Sequence, residues 1–388
     1  MRVLATAAPG SGLFLPTVPL AWALRAAGHE VLMVNTGATS NAVAASGFST
    51  VDAAPGVDVH AEFLAASQAV LAATDGSRPQ RSGMGMFGEA MADGLLRAAE
   101  QFRPDLVVST LEQGAGELVA ARYAIPYVEQ SVRLAWAGPD EQAAKYRAAV
   151  AEYLVPTRER LGISAPYAEP TACLDIRPAS LGGHDSKTEW PLRYVPYNEG
   201  RVLPDWVLDR PDRPRVCVTM GSVLGSLPAG SELKQLYVAV VREILLELAG
   251  LGVETVVAMG ESDLEGVGEL PESVRIAGWT PLSALLPTCS AIVHHGGAGT
   301  SLTALALGVP QVVLPQGADQ PANAAVLAER GLAVLVRPET ISAAAVRDGL
   351  SRVLDEPGFG SAAEAVRAEI HAMPSPADVA GNLAALVG

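Results

Sequence analysis

The sequence predicts an α/β architecture in two domains, each built on a parallel sheet. Three observations lead there. Short β-branched runs alternate with alanine- and leucine-rich helical stretches along most of the chain, the pattern of strand–helix–strand units. A length of 388 residues corresponds to two domains at roughly 150 residues each. Between them, Pro191, Pro196, Pro204, Pro211 and Pro214, with Gly200, break the alternation in a way that neither a helix nor a central strand tolerates. With 49% hydrophobic and 18% charged residues, a large core is easily filled.

In the first half, strands are expected at Arg2–Ala7, Val31–Val34, Leu106–Ser109 and Tyr127–Gln130. Helices are expected over Pro19–Ala27, Gly88–Gln101, Gly116–Tyr123 and Glu141–Leu161. Gly28 stands where a left-handed cap would end the first of these. In the second half, strands are expected at Val216–Met220, Thr255–Met259, Val274–Ile276, Ala291–Val293, Gln311–Leu314 and Ala333–Val336. Helices lie between them at Glu232–Leu248, Ala298–Leu307 and Ala322–Arg330. The tail from Pro374 to Val387 has the spacing of a last amphipathic helix. The expected domains are 1–196 and 215–370, with a linker at 197–214 and residues 371–388 packing back on the first domain.

Forty-two acidic against 27 basic residues leave a formal charge of −15, which argues against a nucleic-acid surface or an anionic membrane. No apolar run is long enough for insertion in a membrane, so the chain reads as soluble and cytoplasmic. Cys173, Cys217 and Cys289 are widely spaced and odd in number, which fits small buried hydrophobes and no disulfide framework. An acidic protein that binds a phosphorylated ligand must do so locally, with backbone N–H groups and helix ends.

One segment has that composition. His294-His295-Gly296-Gly297-Ala298-Gly299-Thr300 joins an apolar strand to a helix; its small residues admit a ligand close to the backbone, and the helix start offers unpaired N–H groups. His295 adds a directed donor and Thr300 a hydroxyl. Upstream, Trp279 in Gly278-Trp279-Thr280-Pro281-Leu282 suits stacking on a base, or plugging the core. Downstream, Asp319 and Gln320 follow the next strand, where a carboxylate can take two sugar hydroxyls or can simply cap a helix. Stacking residue, phosphate cradle and hydroxyl reader fall in the order of base, diphosphate and sugar in a nucleotide sugar.

The runs Gly278-Trp279-Thr280-Pro281, His294 to Thr300, Gly308-Val309-Pro310-Gln311 and Asp319-Gln320 resemble the donor-binding motif of inverting GT-B glycosyltransferases. The likeness is greatest to the actinobacterial enzymes that attach deoxysugars to macrolides and aromatic polyketides. Pro16 to Val31 and Arg193-Tyr194-Val195-Pro196-Tyr197-Asn198 are similar to the same family. The resemblance implies a GT-B fold, two Rossmann-like domains whose parallel sheets face across a cleft. It implies a dTDP or UDP sugar as co-substrate, no cofactor, and a hydrophobic small-molecule acceptor. Carried over, Trp279 stacks on the base, and Thr280, Pro281 and Leu282 read its edge. His295 and the N–H groups around Gly296, Gly297, Ala298, Gly299 and Thr300 hold the diphosphate, with His294 beside them. Gly221 and Ser222 approach phosphates or sugar, and Asp319 and Gln320 touch the sugar.

The sequence departs from the family in one place. Where its O-glycosyltransferases carry a histidine base, an ungapped alignment puts Leu13, and a lost base costs about 10²–10⁴ in rate. Three readings stay open: Glu112 or Glu129 serves as base; the acceptor is an aromatic carbon or acidic phenol that needs less help; or the chain is catalytically impaired, by design or as a natural accessory protein. A homodimer is a further expected partnership. A nucleotide-sugar epimerase is the rival enzyme class. Leu13, Phe14, Phe63, Met84 and Phe87 are the expected acceptor lining. No Asp-x-Asp motif or metal-ligand spacing is present, so metal-independent transfer with inversion is expected.

Overall fold

In the computed structural model, residues 1–72, 83–137, 140–221 and 231–387 are described. Two compact units are present: Met1–Arg193 with Met373–Gly388, and Tyr194–Ala372.

The first unit holds seven strands: β1 (Arg2–Thr6), β2 (Glu30–Asn35), β3 (Thr50–Asp52), β4 (Leu106–Ser109), β5 (Tyr127–Gln130), β6 (Ala172–Asp175) and β7 (Glu189–Pro191). Their order is β3-β2-β1-β4-β5-β6-β7, with every pairing parallel. The second unit has β8 (Arg215–Thr219), β9 (Glu254–Val257), β10 (Val274–Ile276), β11 (Ala291–His294), β12 (Gln311–Val313) and β13 (Ala333–Leu335). Their order is β10-β9-β8-β11-β12-β13, again parallel throughout. A parallel sheet needs helices on both faces, which is why its strands are continuous apolar runs such as Val216, Cys217 and Val218.

In both sheets the strand order reverses once, between β1 and β4 and between β8 and β11. Connections on the two sides of such a point run to opposite faces, which opens a crevice at the carboxyl ends of those strands. Fold physics therefore nominates four loops: those after β1 and β4 in one unit, and after β8 and β11 in the other.

The expected elements recur with two instructive differences. Glu141–Leu161 is two helices, Glu141–Tyr153 and Val155–Arg160, because Pro156 lacks the N–H that a continuous helix would use. β3, β6 and β7 add strands that were not expected; β7 tolerates Pro191 because it is an edge strand. Residues 197–214 belong to the second unit, where Asn198 Oδ1 accepts from the Ser283 N–H at 2.9 Å. The three cysteines are free. Among the described residues no helix is long and apolar enough to cross a membrane.

The chain leaves the first unit after Arg193 and re-enters at Met373, and the Arg193 N–H donates to Pro374 O at 2.8 Å. The last helix, Pro376–Ala384, begins with a Ser375–Asp378 capping box and packs on the helix Val18–Ala26. Its Val379, Ala380 and Leu383 are buried. Leu383→Ala should lower stability by about 2–5 kcal/mol, read from urea midpoints. An unchanged midpoint would mean the helix contributes nothing to the fold.

Candidate functional site

At the reversal in the second sheet, β8 ends at Thr219, followed by Met220 and Gly221, and β11 ends at His294, followed by His295, Gly296 and Gly297. The imidazole of His295 lies between two stretches of backbone. A Cβ on Gly221 would sit 2.4 Å from His295 Cε1, and one on Gly297 would sit 2.5 Å from Nε2, so neither position admits a side chain without displacing the ring. Gly221 also has φ +69° and Gly296 φ +89°, and a Cβ on Gly296 would meet Val313 Cγ1 at 2.8 Å. Three glycines thus stand where side chains would otherwise crowd the crevice.

His295 is 7% exposed, and its Nδ1 is buried with no hydrogen-bond partner among the described residues. Burial pushes its pKa down to about 4, against an upward pull from the nearby Asp319 carboxylate. It is therefore neutral at pH 7 and keeps one ring N–H to give. The helix Ala298–Ala306 starts directly after Gly297, with no side chain capping it and no acid in its first turn. Its first N–H groups have no carbonyl one turn back to bond to. Among the described residues, then, unspent donors and a positive dipole end converge beside a neutral imidazole.

His294, expected among the donor contacts, is instead a structural residue. Side chains alternate along a strand, and His294 points into the core, fully buried. Its Nδ1 accepts from the Gly296 N–H at 3.0 Å, which leaves Nε2 as the protonated nitrogen donating to Gln311 Oε1 at 2.8 Å. Both ring nitrogens are spent. Burial, then the charge of His295, lowers its pKa to about 3.

The remaining expected donor contacts lie on neighbouring loops. Trp279 is half-buried after Gly278, whose φ of +64° turns the chain. Thr280 is used internally, its N–H on Gly278 O and its hydroxyl on Ala277 O at 2.7 Å. Pro281 caps the short helix that follows, and Leu282 packs in the core beneath the sheet. Thr300 is half-buried in the first turn of Ala298–Ala306. Asp319 occupies the position before the helix Gln320–Glu329, yet its side chain caps nothing; its Oδ2 instead accepts from Asn323 Nδ2 at 3.3 Å. Gln320 Oε1 accepts the Gln316 N–H at 2.9 Å, holding the loop before it. Ser222 lies outside the described residues.

In the first unit, four of the five expected acceptor residues meet. Leu13, Phe63 and Met84 pack against Phe87, with the Phe63 and Phe87 rings 4.8 Å apart. Phe14 does not join them; it is fully buried as the last residue of the turn Ser11–Phe14. The two candidate bases differ. Glu129 lies within β5, and both its oxygens accept from Arg147, at 2.9 and 3.2 Å. Its burial raises the carboxyl pKa against that pull, and the pairing with Arg147 occupies both oxygens in the interior. Glu112 stands in the loop after β4, at the reversal point, across the β1–β4 pair from the segment that carries Leu13. Its Oε1 accepts from Arg133 Nε at 2.8 Å, while Oε2 is buried with no partner among the described residues. Neither arginine was predictable: each lies 18–21 residues from its carboxylate, in another element. Asn323 was also missed, although its place four residues after Asp319 puts it on the same helix face. Among the described residues no group of three or more His, Cys, Asp or Glu could hold a metal ion.

Two parallel sheets of this order, with a glycine-walled histidine at a helix start, define a GT-B glycosyltransferase, and the relatives of the chain are of that kind. Residues 22–221 match the N-terminal domain, and residues 242–386 the C-terminal domain, of the erythromycin biosynthesis protein CIII-like family. The chain belongs to that family. Elloramycin glycosyltransferase ElmGT of Streptomyces olivaceus is 40% identical over 99% of this chain and 97% of its own. The crystal structure of the glycosyltransferase SnogD from Streptomyces nogalater superposes with a TM-score of 0.79 at 38% identity, covering 100% of this chain and 99% of SnogD. That of SsfS6 from Streptomyces sp. SF2575, complexed with thymidine diphosphate, has a TM-score of 0.80 at 32% identity and covers 99% of both chains.

The depressed histidines give a signed pH effect. In the unfolded chain each titrates near 6.5; folded, His294 does so near 3. Below pH 6.5 the unfolded state takes up a proton that the native state refuses, so stability falls by about 1.4 kcal/mol per pH unit for that group. The stability advantage of wild type over His294→Gln should shrink by about 1.6 kcal/mol between pH 6.5 and 5 in urea titrations. A constant difference would contradict a buried neutral His294.

Proposed function

We propose that the enzyme transfers a deoxysugar from a thymidine diphosphate donor to a hydrophobic polyketide-type acceptor, with inversion and without a metal ion. The observation that carries this reading is the neutral, glycine-walled His295 beside the uncapped start of Ala298–Ala306. As the anomeric C–O bond breaks, its electron pair leaves on the diphosphate. Donors already aimed at that place stabilise the growing charge with little reorganisation, and a diphosphate is the anion suited to a helix start. Thymidine diphosphate bound to SsfS6 supports the choice of base, and Trp279 is the residue for it to stack on. The Asp319 carboxylate, at the head of Gln320–Glu329, suits the sugar hydroxyls.

The hydrophobic group of Leu13, Phe63, Met84 and Phe87 suits an apolar acceptor. Glu112 is the proposed base. The acceptor oxygen bonds to the anomeric carbon from the face opposite the leaving group, and its proton passes to Glu112 Oε2. Arg133 Nε holds the other oxygen at 2.8 Å and fixes the orientation of the carboxylate.

His295→Ala should reduce kcat/KM for the donor by at least about tenfold, since one buried hydrogen bond to a charged group is worth about 1.5–3 kcal/mol. Near-wild-type steady-state kinetics would overturn the assignment. With a hydroxyl acceptor, Glu112→Gln should lower kcat by about 10²–10⁴ with the donor KM little changed. A full rate in that variant would remove Glu112 as the base.

A further inference from the structure

Asn323 is wholly buried, and its side-chain amide touches both the diphosphate loop and the carboxylate that follows β12. Nδ2 donates to Gly296 O at 3.0 Å and to Asp319 Oδ2 at 3.3 Å. Gly296 is the residue between His295 and Gly297, held at φ +89°, and a Cβ there would sit 3.3 Å from Gln320 O. Asp319 in turn acts electrostatically on His295. An uncapped aspartate at the head of a helix would ordinarily turn back to its own N–H groups. Here Asn323 draws one of its oxygens sideways, and the same amide fixes the carbonyl of the loop that carries His295. The Oδ1 of Asn323 is itself buried with no partner among the described residues, a cost the fold bears without return from packing alone.

We propose that Asn323 is a positioning residue for donor transfer: it orients Asp319 toward the sugar and ties that orientation to the diphosphate loop, so that one brace sets the distance between the two subsites. This rests on the reading of the crevice as the nucleotide-sugar site. The brace requires an N–H at Nδ2. Asn323→Asp keeps the shape, removes both donors and places a second negative oxygen beside Asp319. Asn323→Ala removes the group altogether. Asn323→Gln retains the amide one methylene further out.

The test is a double-mutant cycle on the purified enzyme with Asp319→Ala, Asn323→Ala and the pair, measuring donor and acceptor KM and kcat, with melting temperature recorded for each. Residues that act as a unit give non-additive losses. Asn323→Ala and Asn323→Asp should each lower kcat/KM for the nucleotide sugar at least tenfold and leave acceptor KM within threefold. In the Asp319→Ala background, removing Asn323 should cost less than threefold. Asn323→Gln should recover part of the rate lost in Asn323→Asp. Full additivity, or losses shared equally between donor and acceptor KM, would overturn the proposal and leave Asn323 as a packing residue. Thymidine diphosphate titrated calorimetrically into wild type separates the two levels: absence of binding and of transfer defeats the reading of the site, whereas binding and transfer with an additive cycle defeats the brace alone.

Discussion

The passage of two backbones on either side of the His295 ring sets the spacing of the carboxyl edge of the second sheet. β8 and β11 are neighbours, and the loops leaving them run to opposite faces. An imidazole placed between those loops is tolerated only because Gly221 and Gly297 have no side chains there. Once the ring is held, Gly296 must turn through a left-handed conformation, which aims its N–H at His294 and its carbonyl at Asn323. One steric requirement therefore fixes the tautomer of the buried histidine, the start of the helix Ala298–Ala306 and the anchor for Asn323. It also bears on the acidic composition. A chain of net charge −15 can meet an anion with neutral donors, because backbone N–H groups and an uncharged imidazole need no basic patch.

The first unit meets a different constraint, the burial of carboxylates. Glu117 receives two short hydrogen bonds from Arg158, Glu129 is clasped by Arg147, and Asp175 is paired with Arg177. Each charge is compensated within the interior, and breaking such a pair from one side would leave an uncompensated buried charge. Glu112 departs from that pattern, since Arg133 answers only one of its oxygens. Glu112, with one oxygen answered and one not, stands at the point where the sheet order reverses.

Strand ends and apolar runs made much of the fold legible. β4, β5 and β10 have the residue limits expected from the chain, and the helices between them follow from capping and periodicity. β3, β6 and β7 were not legible, because three or four residues give no alternation to read and Glu189 and Pro191 disguise the last of them. The site divides in the same way. Its contiguous parts, the glycines after β11 and the aspartate after β12, are visible in one dimension because the chain must turn there. Strand parity says that His294 and His295 diverge but not which of them faces the crevice; packing against Gln311 decides that. Pairings such as Arg133 with Glu112, or Asn323 with Gly296, arise only when separate loops are brought to one edge, and no local pattern encodes them.

The return of the chain to the first unit at Met373 means that the second unit is inserted into the first rather than appended to it. Two covalent strands, stapled together by the Arg193–Pro374 hydrogen bond, cross the boundary. Recombination within this family is accordingly a two-cut operation. A chimera joined only once, near residue 194, carries a foreign closing helix onto Val18–Ala26 and inherits a mismatched seam within the first core. Exchanging the inserted unit at both crossings keeps each core whole and moves only the donor-side loops.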